Sequence, residues 1–402
     1  TNVGIIQEKA EELAANICVQ LFEGKTRKSD ENKFISLEAL EDARIYYRDI
    51  FNSVCVATNC EIDNIKTVIG FFIQTTVEKV LENIINYYNI ENVTLSGGCF
   101  YNVKLNNSIL KNTNGYVCVV PLAGDQGCAI GMYDHFHQAI FNFDDLCFGR
   151  RDLDKLTVGN KDPKIILVGN RKDYINTVAR LVNTGCIVNV VSKEMEFGPR
   201  ALCNTSTLAL PSSENVDYIN MLNGRNTVMP MAPVVLEENM HILFQDLDSV
   251  DRVIGSNGYM IMTHDFHNDI AVDHDYEGVT HKYPTEYKFS GRPQVIKHDD
   301  SRCIRDILES VDTVCLINTS FNTHGTPILY STDDCVKDFE KQKEKDEKSP
   351  PVVNFQKHDV MAVLGKRPKV GSVYGLKIEP LVRRALLALR VPCNPKLAVL
   401  LA

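Results

Sequence analysis

The chain has 402 residues, 44% of them hydrophobic, with a net charge of −9 and a pI near 5.6. That length exceeds what one hydrophobic core ordinarily organises, so two or more domains are expected, and the acidic balance excludes a general electrostatic surface for nucleic acid or anionic membranes. Thirteen cysteines, odd in number and without a CxxC pair, fit reduced thiols, and the absence of an uncharged membrane-length span or a signal-peptide pattern points to a soluble, cytoplasmic protein.

In chain order, residues 5–22 and 65–89 carry apolar side chains at helical spacing, with Val68, Phe72, Val77, Leu81 and Ile84 on one stripe of the second, and both are expected to be core helices. Val93-Thr-Leu-Ser-Gly-Gly98 reads as a short strand emptying into a double glycine, and Val117-Cys-Val-Val120 as another ending in Pro121-Leu-Ala-Gly-Asp125. Helix, strand and glycine turn in alternation predict an α/β sheet whose loops gather at the strand carboxyl ends, where ligands usually bind.

A polar, turn-rich stretch near 149–163 predicts a domain boundary, after which a second α/β unit begins. Ile165-Ile-Leu-Val168 is an expected strand, 172–184 a helix, Cys186-Ile-Val-Asn-Val-Val191 a strand, and Thr313-Val-Cys-Leu-Ile317 another. Residues 337–349 form a mixed-charge run, expected to be an exposed helix or solvated loop without function. His264 and His267 are expected to be a solvated pair in a polar loop. Beyond Pro380 the chain is basic and apolar, readable as an amphipathic membrane-touching helix or as a terminal element docked on the core.

Two segments are not explained by packing alone. Glu196-Phe-Gly-Pro-Arg-Ala-Leu-Cys-Asn-Thr-Ser206 bends the backbone beside a permanently charged guanidinium, the side chain best suited to phosphate or carboxylate. Asn318-Thr-Ser-Phe-Asn322 offers small hydroxyl and amide donors at a strand end. Together they read as two loops of one anion-binding site. Ser96, Gly97, Gly98 and Asn102 suit a nucleotide's phosphate or ribose, although a tight turn explains Ser-Gly-Gly equally well. Asp125, on a glycine turn, could be a single metal ligand or a helix cap.

These motifs, with Gly224-Arg225 and Met229-Pro-Met-Ala-Pro233, Ser290-Gly-Arg292-Pro-Gln294 and Gly325-Thr-Pro-Ile328, resemble in order and spacing the O-carbamoyltransferases of the nodulation and antibiotic-tailoring type, from about residue 60 to about 366. The resemblance implies an α/β protein with a partial ASKHA (Kae1-like) lobe over 1–155, a YrdC-like domain over 156–366 and a tail over 367–402. It implies an enzyme that joins carbamoyl phosphate and ATP into carbamoyl adenylate and passes the carbamoyl group to a hydroxyl of a small molecule or a modified nucleotide. Position by position, Arg200, Arg225 and Arg292 would grip phosphates, and Ser320 and Asn322 would act beside them in catalysis. Ser96, Gly97, Gly98, Asn102, Thr205 and Asn318 would hold ATP or the adenylate, and Asp125 would bind a divalent metal, iron or magnesium. A homodimer is an allowed arrangement, with no membrane partner and no general nucleic-acid surface.

The chain departs from the pattern in three places. Cys203 and Thr205 stand where the family usually has a glycine and a basic residue, and Met229 replaces an arginine. The family's His-Asp and His-His-x-x-His motifs are absent, and with Thr1 as the first residue this leads to the expectation of an amino-terminal lobe upstream. A catalytically degenerate nucleotide-binding or structural relative is the alternative. A tRNA-modifying threonylcarbamoyl transfer protein fits less well, because the chain has no basic RNA surface.

Overall fold

A computed structural model of the chain describes residues 2–22, 37–58, 65–138, 146–150, 165–168, 170–192, 194–225, 231–245, 251–273, 275–282, 288–345, 352–356 and 397–401. The domain boundary expected near 149–163, Met229, and the basic positions Arg383, Arg384, Arg390 and Lys396 lie largely or wholly outside these residues. The chain divides into two compact units. One comprises Thr1–Val93, Asn107–Val117 and Val391–Ala398; the other comprises Thr94–Asn106, Cys118–Arg390 and Val399–Ala402. Among the described residues no helix is long and apolar enough to cross a membrane, and the described cysteines are free thiols.

The first unit contains helices α1 (Asn2–Phe22), α2 (Leu37–Ala57) and α3 (Ile65–Tyr87). Ile6, Ala10 and Leu13 of α1, Val54 of α2 and Phe72 of α3 form their shared core. The apolar stripe expected on α3 is wider than the face it buries: Phe72 is buried, whereas Val77 is 39% exposed. Helix α2 was not evident in the sequence, where charged residues interrupt its apolar spacing.

Strand β1 (Asn92–Ser96) runs into a single 3-10 turn, Gly98–Tyr101, and then helix α4 (Val103–Lys111). Strand β2 (Val117–Val119) leads through the turn at 121–125 into α5 (Gln126–His137). The expected helix, strand, glycine-turn alternation is present.

A seven-stranded mixed sheet organises the second unit. Its strands are β3 (Ile165–Val168), β4 (Val188–Val191), β5 (Thr205–Ala209), β6 (Ala232–Leu236), β7 (Gln294–Ile296), β8 (Cys315–Ser320) and β9 (Val352–Gln356), in the order β7-β6-β8-β5-β4-β9-β3. Strand β8 runs antiparallel to both neighbours, β5 and β6, while β7 is parallel to β6. Side chains alternate between faces. Leu316 packs with Val188, Val190, Leu208 and Val234 beneath α6 (Arg171–Asn183) and α8 (Cys303–Ser310). Cys315 and Ile317 turn the other way, toward Val216 and Ile219 of α7 (Ser213–Asn223) and Phe244 and Phe266.

Two expectations need correction. The described part of the mixed-charge run, 337–345, lies in helix α9 (Thr332–Lys345), one face of which is inside the protein: Phe339 is fully buried, and Asp338 and Gln342 are 3% and 2% exposed. The charged majority of the run masked a minority of side chains at helical spacing that point inward. His264 is not solvated either. It is 2% exposed, its ring edge-on to Phe244, and its Nε2 is hydrogen-bonded to Asn257 Oδ1 at 2.9 Å.

Because Leu316 is central in the sheet and fully buried, Leu316→Ala is expected to lower the unfolding free energy by about 2–5 kcal/mol, as for other buried leucines. A urea-unfolding midpoint unchanged from wild type would show that β8 is not central to this core.

Candidate anion-binding site

The loop carrying Arg200 is folded around a carboxylate. Glu196, 4% exposed, accepts at Oε1 from the backbone N–H groups of Leu202, Asn204 and Thr205, each at 2.8 Å, and at Oε2 from the Thr205 hydroxyl at 2.8 Å. A buried carboxylate requires such donors, and short loop N–H groups supply them without a counter-cation. Gly198 lies at φ 123, and a Cβ there would meet Leu122 at 2.6 Å, so only glycine fits that bend. At the loop's entry, Phe197 stacks on Phe148 and its N–H donates to the Leu146 carbonyl at 2.7 Å.

A second clamp sits behind the loop. Arg302 is bonded to the Asp300 carboxylate, with the closest contact at 2.5 Å, and Nη1 donates to the Leu202 carbonyl at 3.2 Å. Burial opposes the charge of both groups, but their mutual hydrogen bonds prevail: Arg302 is held well above the usual arginine range and Asp300 below the usual carboxylate range.

Arg200, Arg225 and Arg292 are arranged differently. Among the described residues none of the three is paired with a carboxylate. Burial lowers the pKa of Arg200, Tyr101 partly restores it, and its buried Nε has no hydrogen-bond partner. Burial, and after it the positive charge of Arg200, push Arg292 down to about 9; among the described residues its side chain donates from Nη1 to the Met260 carbonyl at 3.4 Å. Two partly buried cations thus repel each other.

Arg225 is fixed by hydroxyls. Its Nη1 donates to Thr319 Oγ1 at 2.7 Å and its Nη2 to Ser320 Oγ at 3.0 Å, while burial lowers its pKa. Ser320 Oγ in turn donates to Asn322 Oδ1 at 2.6 Å, and Asn322 Nδ2 donates to the Thr326 carbonyl. Arg225, Ser320 and Asn322 therefore form one connected group.

Thr205 and Asn318 serve the loop from inside. Thr205 is fully buried with its hydroxyl on Glu196, and Asn318, 2% exposed, donates to the Ala201 carbonyl at 2.9 Å and to Gln294 Oε1 at 2.5 Å. That bond fastens β8 to the Arg200 loop. Cys203 has φ 75, a left-handed backbone that a non-glycine residue seldom adopts. The glycine usual in the resembled family is free of this restriction.

The glycine turns belong to the same unit. Gly97 N–H donates to the Ala123 carbonyl at 2.9 Å, and Tyr101 Oη accepts from Gly124 N–H at 3.1 Å and donates to Gln126 Oε1 at 3.2 Å, so the two turns are locked together. Asn102 Oδ1 accepts from Leu105 N–H at 3.2 Å and caps α4. Asn106 Nδ2 bridges the Phe100 and Ile261 carbonyls at 2.7 and 2.8 Å, beside the Met260 carbonyl that Arg292 uses. Ser96 is half-buried and Gly98 exposed, while Tyr101 faces Arg200. Asp125 is exposed at the start of α5, and its carboxylate makes no capping hydrogen bond. Among the described residues no three His, Cys, Asp or Glu side chains converge as a metal site.

Residues 6–133 match the family described as carbamoyltransferase N-terminus, and residues 179–346 match carbamoyltransferase C-terminus. The chain belongs to the carbamoyltransferase family. An uncharacterized protein of Methanocaldococcus jannaschii is 33% identical over 294 residues, covering 69% of this chain and 54% of the relative. Nodulation protein NolNO of Sinorhizobium fredii is 26% identical over 66% of this chain and 41% of its own length, and nodulation protein NolO of Bradyrhizobium diazoefficiens is 24% identical over 66% and 50%. The chain spans about half the length of the curated relatives it matches. A solved Sua5 variant from P. abyssi aligns with a TM-score of 0.30 at 15% identity over 48% of either chain, too slight a likeness to argue from.

Sequence reasoning named Arg200, Arg225 and Arg292 and missed residues that fix their surroundings: Glu196 as acceptor, the Asp300–Arg302 pair, Tyr101 and Thr319. An acidic residue two places before a Gly-Pro bend was the available signal for Glu196. Glu196→Ala leaves three loop N–H groups without their acceptor, so a loss of about 3 kcal/mol or more is expected at about 1–3 kcal/mol per unsatisfied group. Denaturant unfolding checks this, and a loss below about 1 kcal/mol would mean the loop does not depend on the carboxylate.

Proposed function

We propose that Arg200, Arg225 and Arg292 bind the phosphate groups of carbamoyl phosphate and ATP, and that this part of the family's machinery forms carbamoyl adenylate. The observation that carries the reading is the pair Arg200 and Arg292, partly buried, repelling each other and lacking any carboxylate among the described residues. An uncompensated pair of guanidiniums is costly to a folded protein unless an anion arrives to share it. A tetrahedral phosphate matches the donor geometry of guanidinium better than water does.

In chemical terms, water cleaves carbamoyl phosphate to carbamate and phosphate, a carbamate oxygen attacks the α-phosphorus of ATP, and pyrophosphate leaves. The adenylate's carbamoyl carbon then accepts a hydroxyl oxygen of the acceptor, and AMP departs. The arginines would bear charge that builds on phosphate oxygens, and the hydroxyl and amide of Ser320 and Asn322 would orient the carbamoyl group. Ser96 and the turn at Gly97 and Gly98 would lie on the nucleotide side. The acceptor is proposed to be a hydroxyl of a small molecule or a modified nucleotide.

Incubated with ATP and carbamoyl phosphate, the chain is expected to release phosphate and pyrophosphate only when both are present, and Arg225→Gln is expected to reduce the rate by about tenfold or more through loss of a charge-assisted contact. A chain that binds ATP but releases neither product is the degenerate relative instead, a reading that the strained Cys203 within the Arg200 loop supports. Arg292→Gln is expected to leave the melting temperature equal or higher, because it removes a repulsive charge, while abolishing the stabilisation that carbamoyl phosphate confers on wild type. A clear drop in the melting temperature of the ligand-free variant would contradict the electrostatic account.

A further inference from the structure

Helix α9 contributes no group to the anion site, yet three of its side chains, Asp338, Gln342 and Lys345, lie at the spacing of one helical face and reach the segments that carry it. Gln342 Nε2 donates to Asn223 Oδ1 at 2.7 Å, and Gln342 Oε1 accepts from Asn189 Nδ2 at 3.0 Å. Asn189 Oδ1 accepts from Thr207 Oγ1 at 2.6 Å. Asn189, Thr207, Asn223 and Gln342 are all between 0% and 2% exposed. Four uncharged, buried polar side chains are thus bonded in a line along one face of the sheet.

That line leads to Arg225 from both ends. Across the sheet, Asn189 is the register partner of Thr207, and Thr207 that of Thr319, so all three side chains lie in one row on one face. Thr319 Oγ1 receives Arg225 Nη1. In the other direction, Asn223 is the last residue of α7, and left-handed Gly224 (φ 67) then delivers Arg225, whose N–H returns to the Asn220 carbonyl at 2.8 Å. Lys345 Nζ caps the same helix end at the Leu222 carbonyl at 2.7 Å. Asp338 Oδ1 accepts from Thr323 Oγ1 at 2.5 Å, and His324 N–H donates to the Asn223 carbonyl at 2.8 Å, tying in the loop that follows Ser320 and Asn322. Burying amides in this way brings little net stability compared with well-packed apolar residues, but it fixes geometry.

We propose that Gln342 is a positioning residue that sets Arg225 for anion binding, through Asn223 at its backbone and through Asn189, Thr207 and Thr319 at its guanidinium. The functional value of that position rests on reading Arg225 as a phosphate-binding group, but the positioning itself does not. Two measurements separate them. With 15N-arginine labelling, Arg225, assigned by loss of its signal in Arg225→Lys, is expected to show distinct, slowly exchanging Nη–H signals in wild type. These average in Gln342→Met, which keeps the side-chain length, while the Arg292 signals stay in place. Unchanged Arg225 signals in a folded Gln342→Met overturn the proposal.

The second measurement is affinity for carbamoyl phosphate. Gln342→Met is expected to weaken it by about tenfold, Arg225→Gln to add little in that background, and Arg200→Gln to act in full. If Arg225→Gln acts in full in the Gln342→Met background, Gln342 is merely structural and the proposal fails. Should wild type not bind carbamoyl phosphate, the functional reading fails and the NMR result alone decides positioning. If Gln342→Met does not fold, Asn223→Ala cuts the same link at its other end and is read in the same way.

Discussion

Positive charge held without counter-charge is the constraint on which this site depends. Arg200 and Arg292 repel each other in a partly buried setting, so the backbone around them has to be fastened by interactions that do not spend their charge. Glu196 illustrates how. Its carboxylate is taken up by loop N–H groups and a hydroxyl rather than by Arg200. The Asp300–Arg302 pair repeats the logic, because Arg302 holds its own acid and offers the loop only a hydrogen bond at the Leu202 carbonyl. Acidic side chains are used in this region, but among the described residues none is paired with Arg200, Arg225 or Arg292.

Strand β8 carries this arrangement into the sheet. It is central and antiparallel to both neighbours, with apolar residues in its first half, Cys315 to Ile317, and polar ones from Asn318 onward. The first half anchors it in the two cores. The second supplies Asn318 to the Arg200 loop and Thr319 and Ser320 to Arg225. One strand thus joins the packing that stabilises the unit to the groups that would bind an anion, and the row Asn189, Thr207, Thr319 extends the same register outward toward α9.

Much of this was legible in the sequence. Arg200, Ser320 and Asn322 stand out because Gly-Pro-Arg and Asn-Thr-Ser-Phe-Asn follow β-branched runs, a pattern with local physical causes. Helices α1, α3 and α6 and strands β1, β2, β3, β4 and β8 followed from periodicity for the same reason. The supports were less legible because they act across long sequence separations. Gln342 bonds Asn189 and Asn223 through the folded sheet, and nothing adjacent to it in the chain marks it. Its neighbours are lysines and glutamates, so charge patterning pointed to solvent. His264 was misjudged likewise, since polar flanking residues conceal a ring that packs on Phe244. Cys203 was visible as a departure from a family pattern, but its left-handed backbone was not.

Calorimetric titration of the chain with carbamoyl phosphate at two salt concentrations tests the central claim most directly. The account predicts saturable binding of about one equivalent, weakened by added salt as expected for charge-driven recognition, and lost in both Arg200→Gln and Arg292→Gln while these variants remain folded. Absence of binding to wild type, or an affinity unaffected by removing either arginine, would contradict it.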